Sequence, residues 1–481
     1  MLSQSGGKKI NPTVYAKPAS GFGSNLFLVG LTLLLVVPLT FLLAGLGDKR
    51  TIQLMILGFP VIVLGFLNFR IALITFMITI FLDIYAMFFM SLAFLVIPYL
   101  LASFLVTNKG FRTKDLSTPF TKATILFILF MLPSLYNSMS RANSAINMMM
   151  WPGIILLVTM LAIAVKEKVE TSFLVKVYVS IVSFNALYAI FQGITTGRRS
   201  YGFAGIMFVD ILGIGIVIVF ILLLHANGKK KLVYGALFAM LLVAMIFNKT
   251  RNVWLNVSLV MLLSFIHAIV HAANLQIDKK KLVRFGLITI FATIIIGGAF
   301  ISIYGTKFLR LEEKQKLTSE SLEVGDVSNS FVTRYFIWST GYNALSVNPV
   351  FGMGMYSFAY TASNYNQLPA NLFKKYVLGY TLHHGYYSML VETGIFGFTG
   401  FLIFLVMLFK RSRKIYLKAA GSEHFLHAFT GFWCLMYVIT SLMFTDAWLW
   451  GRGIVMFGVI LGTLAAIDSR INESAPVTLN E

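Results

Sequence analysis

Residues 381–397, "TLHHGYYSMLVETGIFG", carry the side chains best suited to chemistry in this chain. His383 and His384 precede an apolar stretch, and Glu392 lies inside it. An imidazole titrates near neutral pH and can serve as a general base toward a hydroxyl group. The alternative for His383 is an interfacial histidine that caps a helix or bonds a loop carbonyl. On a continuous helix Glu392 would lie about 14 Å from His383 and on the opposite face, so we expect it to make a structural hydrogen bond to a neighbouring helix or loop.

The composition defines the elements that must position these groups. The chain has 481 residues, of which 58% are hydrophobic and 12% charged. Apolar runs of roughly 18–23 residues recur along it, and each is long enough to cross a hydrocarbon core of about 30 Å as a helix. The alternation of a β-barrel strand is absent. We therefore predict an all-α polytopic membrane protein with about 12–14 transmembrane helices.

Basic residues determine the orientation of these helices. The formal net charge is +21, and Lys and Arg collect in cytoplasmic loops. A cytoplasmic N-terminus places the segments "TNKGFRTKD", "GKKK", "DKKKLVR" and "KRSRKIYLK" inside. The charge is thereby explained without a nucleic-acid partner. The predicted regions are a cytoplasmic tail at 1–23, about eleven spans at 24–304, one long extracytoplasmic loop at 305–385, three spans at 386–468 and a cytoplasmic tail at 469–481.

The same topology places several arginines on the outer face. Arg198, Arg199, Arg251 and Arg334 all fall there. The guanidinium group is planar, permanently charged and matched to phosphate oxygens, so arginines that converge on one cavity would bind a diphosphate. Taken singly, each arginine is better explained by contact with lipid headgroups. The set favours the diphosphate, because these arginines share a face with His383 and the long loop. Asp210, near the outer end of its apolar segment, is expected to pair with an arginine there.

No pattern in the chain indicates a metal or a cofactor. The single cysteine, Cys434, excludes an intramolecular disulfide. His267 and His271 have the i, i+4 spacing of a metal pair, but they fall at the cytoplasmic end of a span, where a helix C-terminus explains them better. No Cys/His cluster or acidic pair resembles a metal site. We expect a protein that works without either.

Four pieces of the sequence together resemble the O-antigen ligase and polymerase superfamily. "HHGYYSMLVETGIFG" is similar to its signature His-Asn-x-Tyr, followed by a Leu-rich stretch and Glu-x-Gly-x-x-Gly. "RYFIWSTGYNALSVNPVFGMGMYSF" resembles its Arg–Trp segment, which ends in a Pro-x-x-Gly-x-Gly turn, and "NKTRNVWLNVSL" resembles its Ser-Arg-x-x-Trp helix start. "RRSYGF" is a weaker match to an Arg-x-x-Gly-x-Phe segment. The resemblance covers roughly residues 180 to 400.

This resemblance implies a GT-C-like, metal-independent, inverting glycosyltransferase on the outer face of the bacterial cytoplasmic membrane. It would move a glycan from an undecaprenyl-diphosphate carrier to an acceptor sugar hydroxyl. Its partners would be that donor, a glycan or lipid-linked acceptor, membrane lipids and, in some systems, a chain-length regulator. By position, the resemblance assigns His383 as the catalytic residue, while His384 stands where Asn is usual. The remaining expected site residues are Arg251, Arg334, Arg199 and Arg198 for the diphosphate, and Glu392, Tyr386, Trp254 and Asp210 in support.

Two questions stay open at this level. A polymerase would add the chain to another lipid-linked repeat and a ligase would pass it to a different acceptor; we favour the polymerase slightly. The alternative from another class is a flippase for lipid-linked oligosaccharides. A transporter should show inverted repeats and broken helices at the membrane midplane, and no such repeat is visible.

Overall fold

A computed structural model describes residues 63–80, 92–107, 116–167, 170–273, 278–286 without 281 and 285, 330–449 and 451–474. Several predicted regions lie outside these described residues. They are the first predicted span, the span near 283–304, the first part of the long loop up to residue 329, and the tails at 1–23 and 475–481.

The described residues form α-helices and short 3₁₀ turns, with no strand among them. The helices are α1 (Phe69–Ile80), α2 (Leu92–Thr107), α3 (Thr121–Met131), α4 (Ser134–Asn137), α5 (Arg141–Glu167), α6 (Thr171–Thr196), α7 (Phe208–His225), α8 (Lys229–Asn248), α9 (Arg251–Val270), α10 (Ser330–Val347), α11 (Phe358–Thr361), α12 (Ala370–Tyr376), α13 (Gly385–Lys418), α14 (Phe425–Ser441) and α15 (Gly451–Ser474). The 3₁₀ turns are Gly205–Met207, Ala362–Tyr365 and Ala447–Leu449.

Within this part of the chain, 7 helices are long and apolar enough to cross a membrane: α5 to α9, α13 and α15. Shorter apolar helices lie at 69–79, 97–107, 121–137 and 425–441. The predicted all-α polytopic class is confirmed. The predicted number of spans stays a prediction, because some of the apolar segments lie outside the described residues.

Helix α7 is the centre of one half of the bundle. Every residue from Phe208 to Leu224 is buried, which fits a helix that is apolar on all sides. It packs against α6, α8, α9 and α14. The apolar run in the sequence predicts a span from about residue 203 to residue 225. Helix α7 begins only at Phe208, because the preceding residues fold back along α6. There the amide oxygen of Asn185 accepts the backbone N–H of Phe203 at 2.7 Å.

The other half of the bundle is built around α5 and α13. Helix α5 packs along α15, and α3 packs along α13. Aromatic rings fill the contact between them: Phe127 is stacked on Phe404 with ring centroids 4.8 Å apart, and it meets the buried Trp151 edge-on at 4.8 Å. These helices hold the start of α13, where residues 383 and 384 lie, at one end of the bundle.

Residues 330–384 form a small layer of their own at that end. Ile337, Met353, Phe358, Val377 and Leu382 make a core separate from that of the main bundle. This layer includes the described part of the predicted long loop. Its α10 packs against α13.

Helix α13 is broken at Gly394, whose φ of 66° and ψ of −175° are not helical. The break frees backbone groups that a continuous helix would bond internally. The segment 349–354 takes them up: Gly354 N–H donates to the carbonyl of Glu392 at 2.8 Å, and Phe396 N–H donates to the carbonyl of Val350 at 3.0 Å. Inside a membrane such groups must find partners within the protein, so the break and the segment depend on each other.

Candidate active site

His383 lies in the turn that leads into α13. Its φ is 53°, in the left-handed region, which His adopts more readily than most residues. Its backbone N–H donates to Oδ2 of Asp446 at 3.2 Å. The N–H of Gly385 donates to the carbonyl of Leu442 at 2.7 Å. The turn is therefore anchored to the connection between α14 and α15.

Asp446 accepts several of the hydrogen bonds that hold this turn in place. It is buried, and both of its carboxylate oxygens are used. Oδ1 accepts the hydroxyl of Thr381 at 3.2 Å, and Oδ2 accepts the hydroxyl of Ser388 at 3.2 Å as well as the His383 N–H. Our sequence reasoning missed Asp446. Its signal was an acid in the outward turn "FTDAWLW" between the last two spans, a position that needs a partner at the membrane surface.

The imidazole of His383 is positioned by the same network. Its Nδ1 lies 3.4 Å from Oγ1 of Thr381, and its ring meets the ring of Tyr380 at 6.1 Å between centroids. Burial lowers the pKa of His383 below its ordinary value, and nearby Arg334 lowers it further, while Asp446 opposes the change. The ring is thus mostly neutral at neutral pH.

Arg334 of α10 is the arginine that the structure brings to this histidine. Its guanidinium is partly buried and interacts electrostatically with both Asp446 and His383. Within the described ranges it makes no hydrogen bond and no ion pair. Burial lowers its pKa, but a guanidinium stays charged in proteins. The site therefore holds a cation whose donors remain available for an anionic ligand.

His384 caps α13. Its Nδ1 accepts the backbone N–H of Tyr387 at 3.2 Å, as a side-chain oxygen does at an ordinary helix N-terminus. Asn is among the best residues for this position, so the histidine performs the task that an asparagine would. Its ring also meets that of Trp338 edge-on, with 5.8 Å between centroids.

Aromatic side chains extend from the site along α10. Tyr335, Trp338 and Tyr342 follow an i, i+3, i+7 spacing and are exposed on one face of that helix. Trp338 joins this face to the histidine turn, because its Nε1–H donates to the carbonyl of Leu382 at 2.9 Å. The hydroxyl of Tyr387 in turn donates to the carbonyl of Trp338 at 2.9 Å. We call Tyr335, Trp338 and Tyr342 the aromatic face.

Glu392 is buried and lies away from His383, against the segment that fills the break in α13. Its Oε2 accepts the N–H of Tyr356 at 2.8 Å and its Oε1 accepts the N–H of Phe358 at 3.3 Å. This is a structural hydrogen bond to a loop, the kind that the sequence favoured. The Glu-x-Gly-x-x-Gly and Pro-x-x-Gly-x-Gly pieces are thus bonded to each other.

The other arginines form a separate corner on the same side of the bundle. A guanidinium nitrogen of Arg199 donates to the Thr250 hydroxyl at 2.5 Å, and Arg251, the next residue, is the first of α9. The ammonium of Lys249 donates to the carbonyl of Gly197 at 2.9 Å, and Arg198 is exposed beside it. Among the described residues no hydrogen bond or ring contact joins this corner to His383.

The remaining predicted supporting residues are Trp254, Tyr386 and Asp210, and their contacts lie within the helical bundle. The indole N–H of Trp254 donates to the carbonyl of Met245 at 3.2 Å, and the hydroxyl of Tyr386 donates to the carbonyl of Ile439 at 3.0 Å. Asp210 is buried within interaction distance of Trp448 and Asp446. No arginine of the described residues takes part in its interactions.

A search of the described residues finds no group of three or more His, Cys, Asp or Glu side chains placed to hold a metal ion. His267 and His271 contact each other, with ring centroids 4.7 Å apart, and the ring Nε2 of His267 lies 3.0 Å from the hydroxyl of Tyr416. These residues lie at the opposite end of α9 from Arg251.

Part of the chain matches a known protein family. Residues 215–402 match the family model described as O-Antigen ligase. No curated protein matches the chain. The match contains Arg251, Arg334, His383 and Glu392, and it ends before Asp446.

The chain is thus a multi-pass membrane protein in which residues 215–402 form an O-antigen ligase domain, consistent with the O-antigen ligase and polymerase superfamily. This domain supports a glycosyltransferase-type role in surface polysaccharide assembly, and its family implies lipid-linked glycan substrates.

Proposed function

We propose that this protein joins glycans on the outer face of the bacterial cytoplasmic membrane. It takes them from an undecaprenyl-diphosphate carrier and transfers them to a sugar hydroxyl, with His383 as the general base. The observation that carries this proposal is the placement of a neutral imidazole beside a partly buried arginine, in a turn fixed by Asp446.

The hydrogen bonds around His383 favour one tautomer. The hydroxyl of Thr381 donates a hydrogen bond to Asp446, so its oxygen can accept a hydrogen bond from the imidazole Nδ1–H. With Nδ1–H turned toward Thr381, Nε2 keeps its lone pair. That nitrogen takes the proton of the acceptor hydroxyl as the oxygen attacks the anomeric carbon.

Arginines would stabilise the diphosphate as it leaves. The diphosphate carries its charge out as the glycosidic bond to it breaks, and a cation in a partly dry site stabilises that charge. Arg334 interacts electrostatically with His383, and we assign it this role. The corner with Arg199 and Arg251, and with Arg198 as a substitute, is proposed to hold the rest of the diphosphate. Because attack and departure occur on opposite sides of the anomeric carbon, the configuration inverts, and no metal takes part.

The glycan is proposed to lie along the aromatic face. Ring faces pack against the apolar faces of sugars, and the hydroxyls of Tyr335 and Tyr342 make no hydrogen bond within the described residues. For the acceptor we propose a second lipid-linked repeat, which would make the enzyme a polymerase.

The test uses the full chain in proteoliposomes supplied with undecaprenyl-diphosphate-linked repeat units. The variants are His383→Asn, which tolerates the left-handed backbone, and Arg334→Gln, and the charge control is Lys374→Gln on the exposed face of α12. We expect a product ladder from wild type and the control, and none from the two site variants.

Other outcomes separate the alternatives. Transfer that appears only after a different glycan or lipid acceptor is added would make the protein a ligase. Movement of the donor across the bilayer without transfer to any acceptor would overturn the transferase and favour a flippase.

A further inference from the structure

A polar cavity lies at the end of the bundle opposite His383. It has a volume of about 450 Å³, and the ends of α3, α5, α13 and α15 surround it. Arg411, which lines it, is 26 residues along α13 from Gly385, or about 39 Å at the helical rise. The cavity therefore lies on the far side of the membrane from His383. This is the side with the basic loops, which the distribution of Lys and Arg assigns to the cytoplasm.

The lining of this cavity is amphipathic. Two cations, Lys122 and Arg411, lie at its exposed rim. Ala162 and Ala465, both buried, supply apolar surface beneath them. One acid, Asp468, also lines the cavity.

Hydrogen bonds between the helices hold the walls of the cavity together, and one of them involves Asn472, which lines the cavity. The ammonium of Lys418 donates to the side-chain oxygen of Asn472, which joins the ends of α13 and α15. A guanidinium nitrogen of Arg470 donates to the carbonyl of Val165, which joins α15 to α5. The cavity is a gap between connected helices and not a loose end of the bundle.

We propose that this cavity binds the phosphate-bearing headgroup of an anionic membrane phospholipid. Basic pockets between transmembrane helices on the cytoplasmic side are suited to such headgroups. The exposed cations would meet the phosphate, and the apolar floor would meet the glycerol and the first acyl carbons. A freely soluble anion would use the cations and leave the floor unused. This site is independent of the transfer reaction.

The first experiment measures lipid affinity of the full chain in neutral detergent, with short-chain phosphatidylglycerol as the probe. Phosphatidylcholine of the same chain length tests the need for net negative charge. Inorganic phosphate and glycerol 3-phosphate test a soluble source. We expect phosphatidylglycerol to bind best of the four. Equal affinity for the soluble phosphates, or for phosphatidylcholine, would overturn the proposal.

Charge variants test the location. The double variant Lys122→Gln/Arg411→Gln should bind phosphatidylglycerol roughly 30-fold more weakly, because each cation near an anionic lipid contributes about a factor of five. The control Lys229→Gln/Lys230→Gln removes the same charge from the exposed start of α8, on the same face but outside the cavity. The control should bind as wild type does. Equal losses in both double variants would mean general attraction to the basic face and would overturn the proposal.

Asp468→Asn gives an independent test in the opposite direction. It keeps both cations and removes the acid that repels a phosphate, so affinity should rise about fivefold. This arm decides the question even where the double variant fails to fold. An unchanged or weaker affinity in Asp468→Asn would overturn the proposal.

Discussion

The break in α13 leads to a strong prediction for Gly394→Ala. The backbone there has a positive φ with an extended ψ, a combination that only glycine adopts readily, and forcing another residue into it costs about 1–3 kcal/mol. An added Cβ would also collide with the carbonyl oxygen of Val350. That oxygen accepts the N–H of Phe396, and a buried N–H left without its partner costs about another 1–3 kcal/mol.

Together these effects predict a loss of roughly 2–6 kcal/mol, or a fall in Tm on the order of 10 °C. The assay is thermal unfolding of purified protein in detergent. The control is Gly235→Ala in α8, where the nearest neighbour of an added Cβ, Leu223, is 4.0 Å away. That change should be neutral or stabilising by up to about 1 kcal/mol, because Ala is the better helix former. If both variants unfold at the wild-type temperature, the coupling between the break and residues 349–354 is refuted.

The remaining predictions concern the residues around the base. Asp446→Asn should lower the transfer rate about 10²-fold or more, because the amide cannot accept all three hydrogen bonds that hold the turn; a rate within about twofold of wild type would contradict this. His384→Asn should keep the cap of α13 and unfold at the wild-type temperature, whereas His384→Ala should lose about 1 kcal/mol in denaturation assays; equal stability of both would contradict the capping role. Burial lowers the pKa of His384, so the folded state binds a proton at this residue less readily than the unfolded chain does. Wild type should therefore lose stability as the pH falls below 6.5, and His384→Asn should lose less. The lowered pKa of His383 likewise predicts that transfer rates decline only below pH 6.5; a decline centred above that value would contradict a buried neutral base. Arg334→Gln should lower the rate 10²- to 10³-fold, as Lys374→Gln should not.

The helices were the part of this protein most open to prediction. Long apolar runs and basic loops carry enough signal to predict spans such as α6, α8 and α9 within a few residues. The start of α7 was missed by five residues, because Asn185 holds the preceding segment against α6 through a tertiary hydrogen bond. The periodicity of the sequence does not predict that hydrogen bond.

The site was only partly open to prediction. His383 and Arg334 stood out because an imidazole and a guanidinium at an outward membrane surface are chemically conspicuous. Asp446 lies 63 residues from His383 along the chain, and only the packing of α14 and α15 against α13 brings it close. The break at Gly394 was also missed, since a glycine within an apolar run does not reveal its φ. Each feature that the sequence did not predict depends on a contact between segments that are distant along the chain.

In the proposed reaction, His383 activates an acceptor hydroxyl while the diphosphate leaves. The most direct test of this role of His383 measures the ratio of undecaprenyl diphosphate released to glycosidic bonds formed. It uses proteoliposomes that contain wild type or His383→Asn, and donor binding is measured in parallel. We expect one carrier to be released for each glycosidic bond in wild type. In His383→Asn, carrier release and bond formation should both fall by about 10²- to 10⁴-fold while donor binding is retained. Bond formation at the wild-type rate in His383→Asn would contradict it.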